Sequence, residues 1–178
     1  MAHIEIERKW MVNGWPAALQ DKLSFEQKMR QGYVSVRPTV RIRAEKTTRS
    51  HDVQKPLQDE YILCFKSKGR LSRQEVEFPI PLDKFREIEE LIGKPLIEKV
   101  RRTYALPDGK ALEVNHVDEG LPTEFWYAEV EFESEEAARS FLPADYGLED
   151  YLLEDVTDLP GQSMGEYWEV TRLHKYDK

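Results

Sequence analysis

The chain has 178 residues, 40% hydrophobic and 34% charged, with 26 Lys and Arg against 34 Asp and Glu and a formal net charge of −8. That length fits one domain over residues 1–178, and the acidic balance argues against general nucleic-acid binding. Cys64 is the one cysteine, which excludes an intrachain disulfide and cysteine-rich zinc sites, and the four histidines show no ligand spacing.

The chain opens MAHIEIERKW, with acids where a signal peptide needs a basic start and an apolar run. No apolar stretch approaches 18 residues, so a cytoplasmic protein with no membrane partner is expected. Period-2 alternation predicts strands over 3–12, 25–36 and 39–45, with a short helical piece around Pro16 between the first two. Residues 47–59, TTRSHDVQKPLQD, are polar and aperiodic and read as a mobile loop. Further strands are expected over 60–66, 71–80, 95–106, 111–117 and 124–133, with Pro107-Asp108-Gly109 as a hairpin turn. Apolar residues at helical spacing predict a helix over 82–92, stopped by Gly93 and Pro95. Ser134 suits the cap of a second helix, and Ser163 with Glu166 a capping box opening a last helix to about residue 175. About eight consecutive, antiparallel strands with helices outside them make an α+β, mainly β, chain.

Because side chains alternate along a strand, Glu5, Glu7 and Lys9 share one face. The same holds for Arg41 with Arg43, for Arg73, Glu75 and Glu77, for Lys99 with Arg101, for Glu113 with Asn115, and for Glu129, Glu131 and Glu133. Lys66 closes the fourth strand. A solvated sheet face is the ordinary explanation of such alternation. Here, however, like charges are paired and sorted by sign from strand to strand, which costs energy unless opposite charges lie between them. The faces therefore suit a closed, water-filled barrel. Paired carboxylates hold a hard divalent cation, Mg²⁺ or Mn²⁺, and Arg and Lys pairs grip phosphate oxygens. A linear polyphosphate or nucleoside triphosphate is the compact ligand that takes many cations at once. Tyr33, Tyr104, Tyr127 and the tryptophans read as core.

The series EIERKW, QGY at Gln31–Tyr33, VRIR at Val40–Arg43, Lys66, Arg73–Glu77, Lys99–Arg101, LEV at Leu112–Val114 and Glu129–Glu131 resembles the CYTH superfamily, the triphosphate tunnel metalloenzymes. The resemblance covers most of residues 3–133. It implies an eight-stranded antiparallel tunnel barrel with a C-terminal helix, and metal-dependent chemistry on a triphosphate. By position, Glu5, Glu7, Glu129 and Glu131 correspond to metal ligands. Lys9, Arg41, Arg43, Lys66, Arg73, Lys99 and Arg101 correspond to phosphate grips. Two features depart from the pattern: Asn115 replaces an acid common in relatives, and the C-terminal DVTDLPGQSMGEYW lacks their basic and Asn residues. His3 is followed by Ile4, not the Phe associated with cyclases of this class, which tilts the reading toward hydrolysis.

The expected reaction is therefore hydrolysis of a terminal phosphoanhydride. Glu75 or Glu113 is the candidate to orient water, and Lys9 or Lys99 the candidate to handle a proton. A cyclase making cyclic AMP from ATP, a non-catalytic polyphosphate-binding module and a plain scaffold are the alternatives. The expected partner is a small-molecule triphosphate, and a homodimer is left open.

Overall fold

The structure is a computed structural model that describes residues 3–174. Its strands are β1 (His3–Met11), β2 (Leu23–Ser35), β3 (Thr39–Ser50), β4 (Asp59–Lys66), β5 (Ser72–Pro79), β6 (Ile97–Ala105), β7 (Ala111–Val117), β8 (Phe125–Glu131) and β9 (Glu154–Asp155). The helices are α1 (Leu82–Ile92), α2 (Glu135–Ser140) and α3 (Met164–Trp168), and α3 runs on into a π turn over Glu169–Leu173. The expected end of that helix near residue 175 lies outside the described residues.

The strands run in the order β5-β4-β3-β2-β6-β7-β8-β1, all antiparallel, and β1 pairs back onto β5 through His3–Glu75 and Glu5–Arg73. That pairing closes the expected eight-stranded barrel. The ninth strand is too short for any periodicity to reveal it. It adds to the far end of β1, opposite Trp10 and Met11.

Apolar side chains pack in two clusters. One cluster joins Trp10, Leu112, Val114 and Val130 to Ala138 and Phe141 of the α2 region. The other joins Ile42, Ile97 and Tyr33 to Phe85 of α1 and Trp168 of α3. Each large side chain so buried contributes about 1.5–3 kcal/mol, which offsets the cost of placing charge in the interior. Arg8 faces outward. Its guanidinium lies 4.8 Å from the Trp10 ring centroid and donates to Asp155 and to the Phe141 carbonyl at the end of α2.

Gly32 has a steric reason. A Cβ there would lie 2.5 Å from Leu96 Cδ2 and 3.3 Å from the Trp168 ring, so the glycine of QGY lets the C-terminal helix close on β2. Gly93 ends α1 at φ 63°, its N–H donating to the Glu89 carbonyl at 3.1 Å. Leu91 of that helix is exposed, while Phe85 is buried.

The loop expected over 47–59 is shorter than its composition suggests. β3 continues to Ser50 and pairs with β2 as far as Phe25, leaving 51–58 as the connection. Thr47 is buried, and threonine is β-branched, so it suits a strand despite its polarity.

Candidate active site

Every residue singled out above for chemistry lines one cavity of about 1060 Å³ inside the barrel. The acids Glu5, Glu7, Glu75, Glu113, Glu129 and Glu131 face the cations Lys9, Arg41, Arg43, Lys66, Arg73, Lys99 and Arg101 across it. Closure does this: each strand sends alternate side chains inward, and eight strands converge.

Register decides the partners. Lys66 Nζ lies 2.9 Å from Glu5 Oε2 and 3.3 Å from Glu75 Oε2. Arg73 lies 3.1 Å from Glu5 and 3.6 Å from Glu7. Burial opposes ionisation of Glu5, but Lys66 and Arg73 hold its carboxyl below the usual range. Arg101 reaches Glu113 at 2.7 Å, and its Nε donates to Asn115 Oδ1 at 3.0 Å. Asn115 thus orients Arg101 without cancelling its charge, as an acid at that position would. Arg43 pairs with Glu45 at 2.5 Å.

Glu7 and Glu129 meet. Burial and the neighbouring Glu129 carboxylate push Glu7 well above the ordinary carboxylate value. Burial also opposes ionisation of Glu129, but the hydrogen bond from Glu7 and the charges of Lys9 and Arg101 hold it low. The two carboxyls are thus driven apart in ionisation, Glu7 toward its neutral form and Glu129 toward its charged one. Two oxygen-donor side chains brought together in this way fit a divalent cation, which would take the place of the Glu7 proton. The wider quartet is less compact. Among the described residues, Glu5, Glu7, Glu129 and Glu131 do not bring three carboxylate oxygens within 4.8 Å of one another. Glu5 is engaged by two cations, and Glu131 lies 3.3 Å from His3. Cys64, Glu75 and Glu77 do place three donor atoms within 4.8 Å. Lys66 and Arg41, at 3.3 and 3.8 Å from those carboxylates, already supply positive charge there.

The cations are under-compensated. The buried Nε atoms of Arg41 and Arg43 have no hydrogen-bond partner among the described residues, which fits a site for an anion rich in oxygen. Burial lowers the pKa of Lys9, although Glu129 and Glu7 oppose the shift. Burial, then Arg101 and Arg43, push Lys99 well below the ordinary lysine value of 10.5. The unfolded lysine therefore holds its proton more tightly, and this site destabilises the fold most at low pH. The penalty disappears as pH rises through the window from the depressed value to 10.5. Lys99→Met is accordingly expected to stabilise the protein by about 1 kcal/mol or more at pH 7 and by less at pH 10, as measured by urea unfolding at both.

Some lining residues lie outside the charge pattern. Tyr33 and Tyr127, expected in the core, pack in it with their rings yet also line the cavity, as does Gln31. Their neutral side chains gave no charge signal, and only the parity of QGY pointed inward. The segment after β9 contributes Thr157, Gln162, Ser163 and Glu166. The Lys9 backbone N–H donates to Thr157 Oγ1 at 3.0 Å, and Lys9 Nζ donates to the Gln162 carbonyl. The capping box of Ser163 and Glu166 is formed. None of residues 47–59 lines the cavity.

The site is thus the interior of a closed antiparallel barrel, lined by opposed acids and bases. The chain belongs to the CYTH domain family, whose model matches residues 3–148. The family implies a divalent metal. A curated relative, the inorganic triphosphatase of Nitrosomonas europaea, is 35% identical over 143 residues, covering 78% of this chain and 83% of that protein. The crystal structure of the inorganic triphosphatase NE1496 superposes with a TM-score of 0.56 at 27% identity, over 94% of this chain and 95% of that one. HpAC1 from Hippeastrum, first assigned as an adenylyl cyclase and described as revealing a dominant triphosphatase activity, shares the fold. Its TM-score is 0.50 at 17% identity, over 82% of this chain and 87% of that one. No helix among the described residues is long and apolar enough to cross a membrane.

Proposed function

We infer that this chain hydrolyses a terminal phosphoanhydride of inorganic tripolyphosphate or an organic triphosphate, with Mg²⁺ or Mn²⁺. The observation that carries this reading is the convergence of carboxylates and cations on one cavity. The likeness to an inorganic triphosphatase supports it.

Glu7 and Glu129 would hold the cation, with Glu5 and Glu131 as further candidate ligands. When bound, it neutralises phosphate charge and polarises the reacting phosphoryl group. Arg41, Arg43 and Arg101 bind the phosphate oxygens with planar guanidinium forks, and Lys9, Lys66, Arg73 and Lys99 add point charges along the chain. Burial in the lumen strengthens these contacts and fixes them before the substrate arrives. Glu113, which lies opposite Glu129 in the ladder, and Glu75 are the candidates to orient water. Lys99, pushed further below the ordinary lysine value than Lys9, is the better candidate of the two to give and take a proton.

The test is a panel of tripolyphosphate, thiamine triphosphate and ATP, each with Mg²⁺ and with Mn²⁺, scored for orthophosphate and pyrophosphate. Orthophosphate release is expected. Pyrophosphate with a cyclic nucleotide from ATP would identify a cyclase, and binding without either product a non-catalytic module. A metal-linked stability gain is also expected. At a hundred times its Kd, Mg²⁺ should stabilise the fold by about 2.7 kcal/mol, read as a rise in Tm over an EDTA control. A plain scaffold would show no rise.

A further inference from the structure

Tyr127 occupies an unusual position in the lumen. It is 1% exposed, and its ring packs 5.7 Å from the Phe125 ring centroid. Lys99 Nζ donates to its hydroxyl at 2.8 Å, and Lys9 Nζ lies 4.2 Å from its ring centroid. One phenol thus contacts two lysines from different strands.

Lys99 has few other ways to be held. Among the described residues no carboxylate oxygen lies within 4.0 Å of its ammonium. The charges bearing on it are mostly positive, Arg101 from its own strand and Arg43 and Arg41 from β3, with Glu129 of β8 opposing them. A lysine stem has four rotatable bonds and much rotamer freedom to lose. Repelled by three guanidinium groups, it would leave the position from which it reaches a bound anion. The tyrosine ring is rigid and clamped, and its oxygen is a neutral acceptor, so it anchors the ammonium without cancelling its charge. Lys9 lies against the face of the same ring, where the π electrons attract a cation.

We propose that Tyr127 is a positioning residue that sets Lys99 through its hydroxyl and Lys9 through its ring, so that both ammonium groups face the phosphate chain. This rests on the reading of the lumen as a triphosphate site. A hydrogen bond to a charged group is worth enough that its loss lowers function about tenfold.

The experiment is a double-mutant cycle of Tyr127→Phe with Lys99→Met, with two readouts. One is kcat/KM for tripolyphosphate with Mg²⁺, and the other is calorimetric affinity for tripolyphosphate in EDTA. Tyr127→Phe should lower each by about tenfold in the wild-type background and by less than about twofold where Lys99 is already Met. Tyr127→Leu, which also removes the ring from Lys9, should cost about a further threefold. No loss in Tyr127→Phe, or the same loss in both backgrounds, overturns the proposal. If the wild type binds tripolyphosphate without hydrolysing it, the reaction fails as a reading, and the calorimetric arm still decides the role of Tyr127.

Discussion

Replacing Glu7 by Gln is expected to lower metal-dependent phosphate release by about three orders of magnitude while leaving the barrel folded. Glutamine keeps the shape but carries no charge, so the pair with Glu129 loses the donor chemistry that binds a hard cation. A bound metal supplies several kcal/mol of transition-state stabilisation, and each 1.36 kcal/mol is tenfold in rate, which gives the figure of about a thousandfold. Stability moves the other way. Glu7 is buried beside a second carboxylate and held well above its ordinary pKa, so ionising it opposes folding. Glu7→Gln should therefore melt at or above the wild-type temperature in EDTA and lose most of the rise that Mg²⁺ gives the wild type. Parallel rate measurements and melts, with and without Mg²⁺, check both halves. Retained turnover would remove Glu7 from the metal site.

Lys9→Ala is expected to cost about a hundredfold or more in kcat/KM, the loss seen when one preorganised donor to a developing negative charge is removed. Lys9 sits on β1 between Glu7 and the strap that follows β9, and its ammonium donates to the Gln162 carbonyl. A phosphate chain entering the lumen offers a stronger acceptor than that carbonyl. Burial lowers the lysine's pKa, so its charge costs the fold something, and alanine at this position should not lower Tm. Wild-type turnover by a folded Lys9→Ala protein would place Lys9 among the structural cations.

Much of this site was legible because strands alternate strictly. Once Glu5, Glu7 and Lys9 share a face, and Arg41 and Arg43 another, the composition of the lumen follows from closure. What alternation does not contain is register. Nothing in the sequence says that Glu7 would meet Glu129, that Lys66 would engage Glu5 and Glu75, or that Glu131 would sit beside His3. Those pairings depend on how far each strand slides past its neighbour. Neutral lumen residues were hidden for another reason. Tyr127 and Tyr33 have aromatic rings that pack as core and polar ends that reach the cavity, and sequence patterning registers only the first property. The extension of β3 to Ser50 was missed because threonine and arginine read as loop when their cross-strand partners are unknown.

The central claim is that acids and bases from separate strands form one site for a triphosphate and a divalent cation. Anomalous diffraction from crystals of the Glu7-intact protein soaked in Mn²⁺ and tripolyphosphate tests it most directly. The account predicts a manganese peak in the lumen beside Glu7 and Glu129, with phosphate density reaching toward Arg41, Lys99 and Arg101. Manganese and phosphate bound only on the outer surface, with the lumen unchanged, would contradict it.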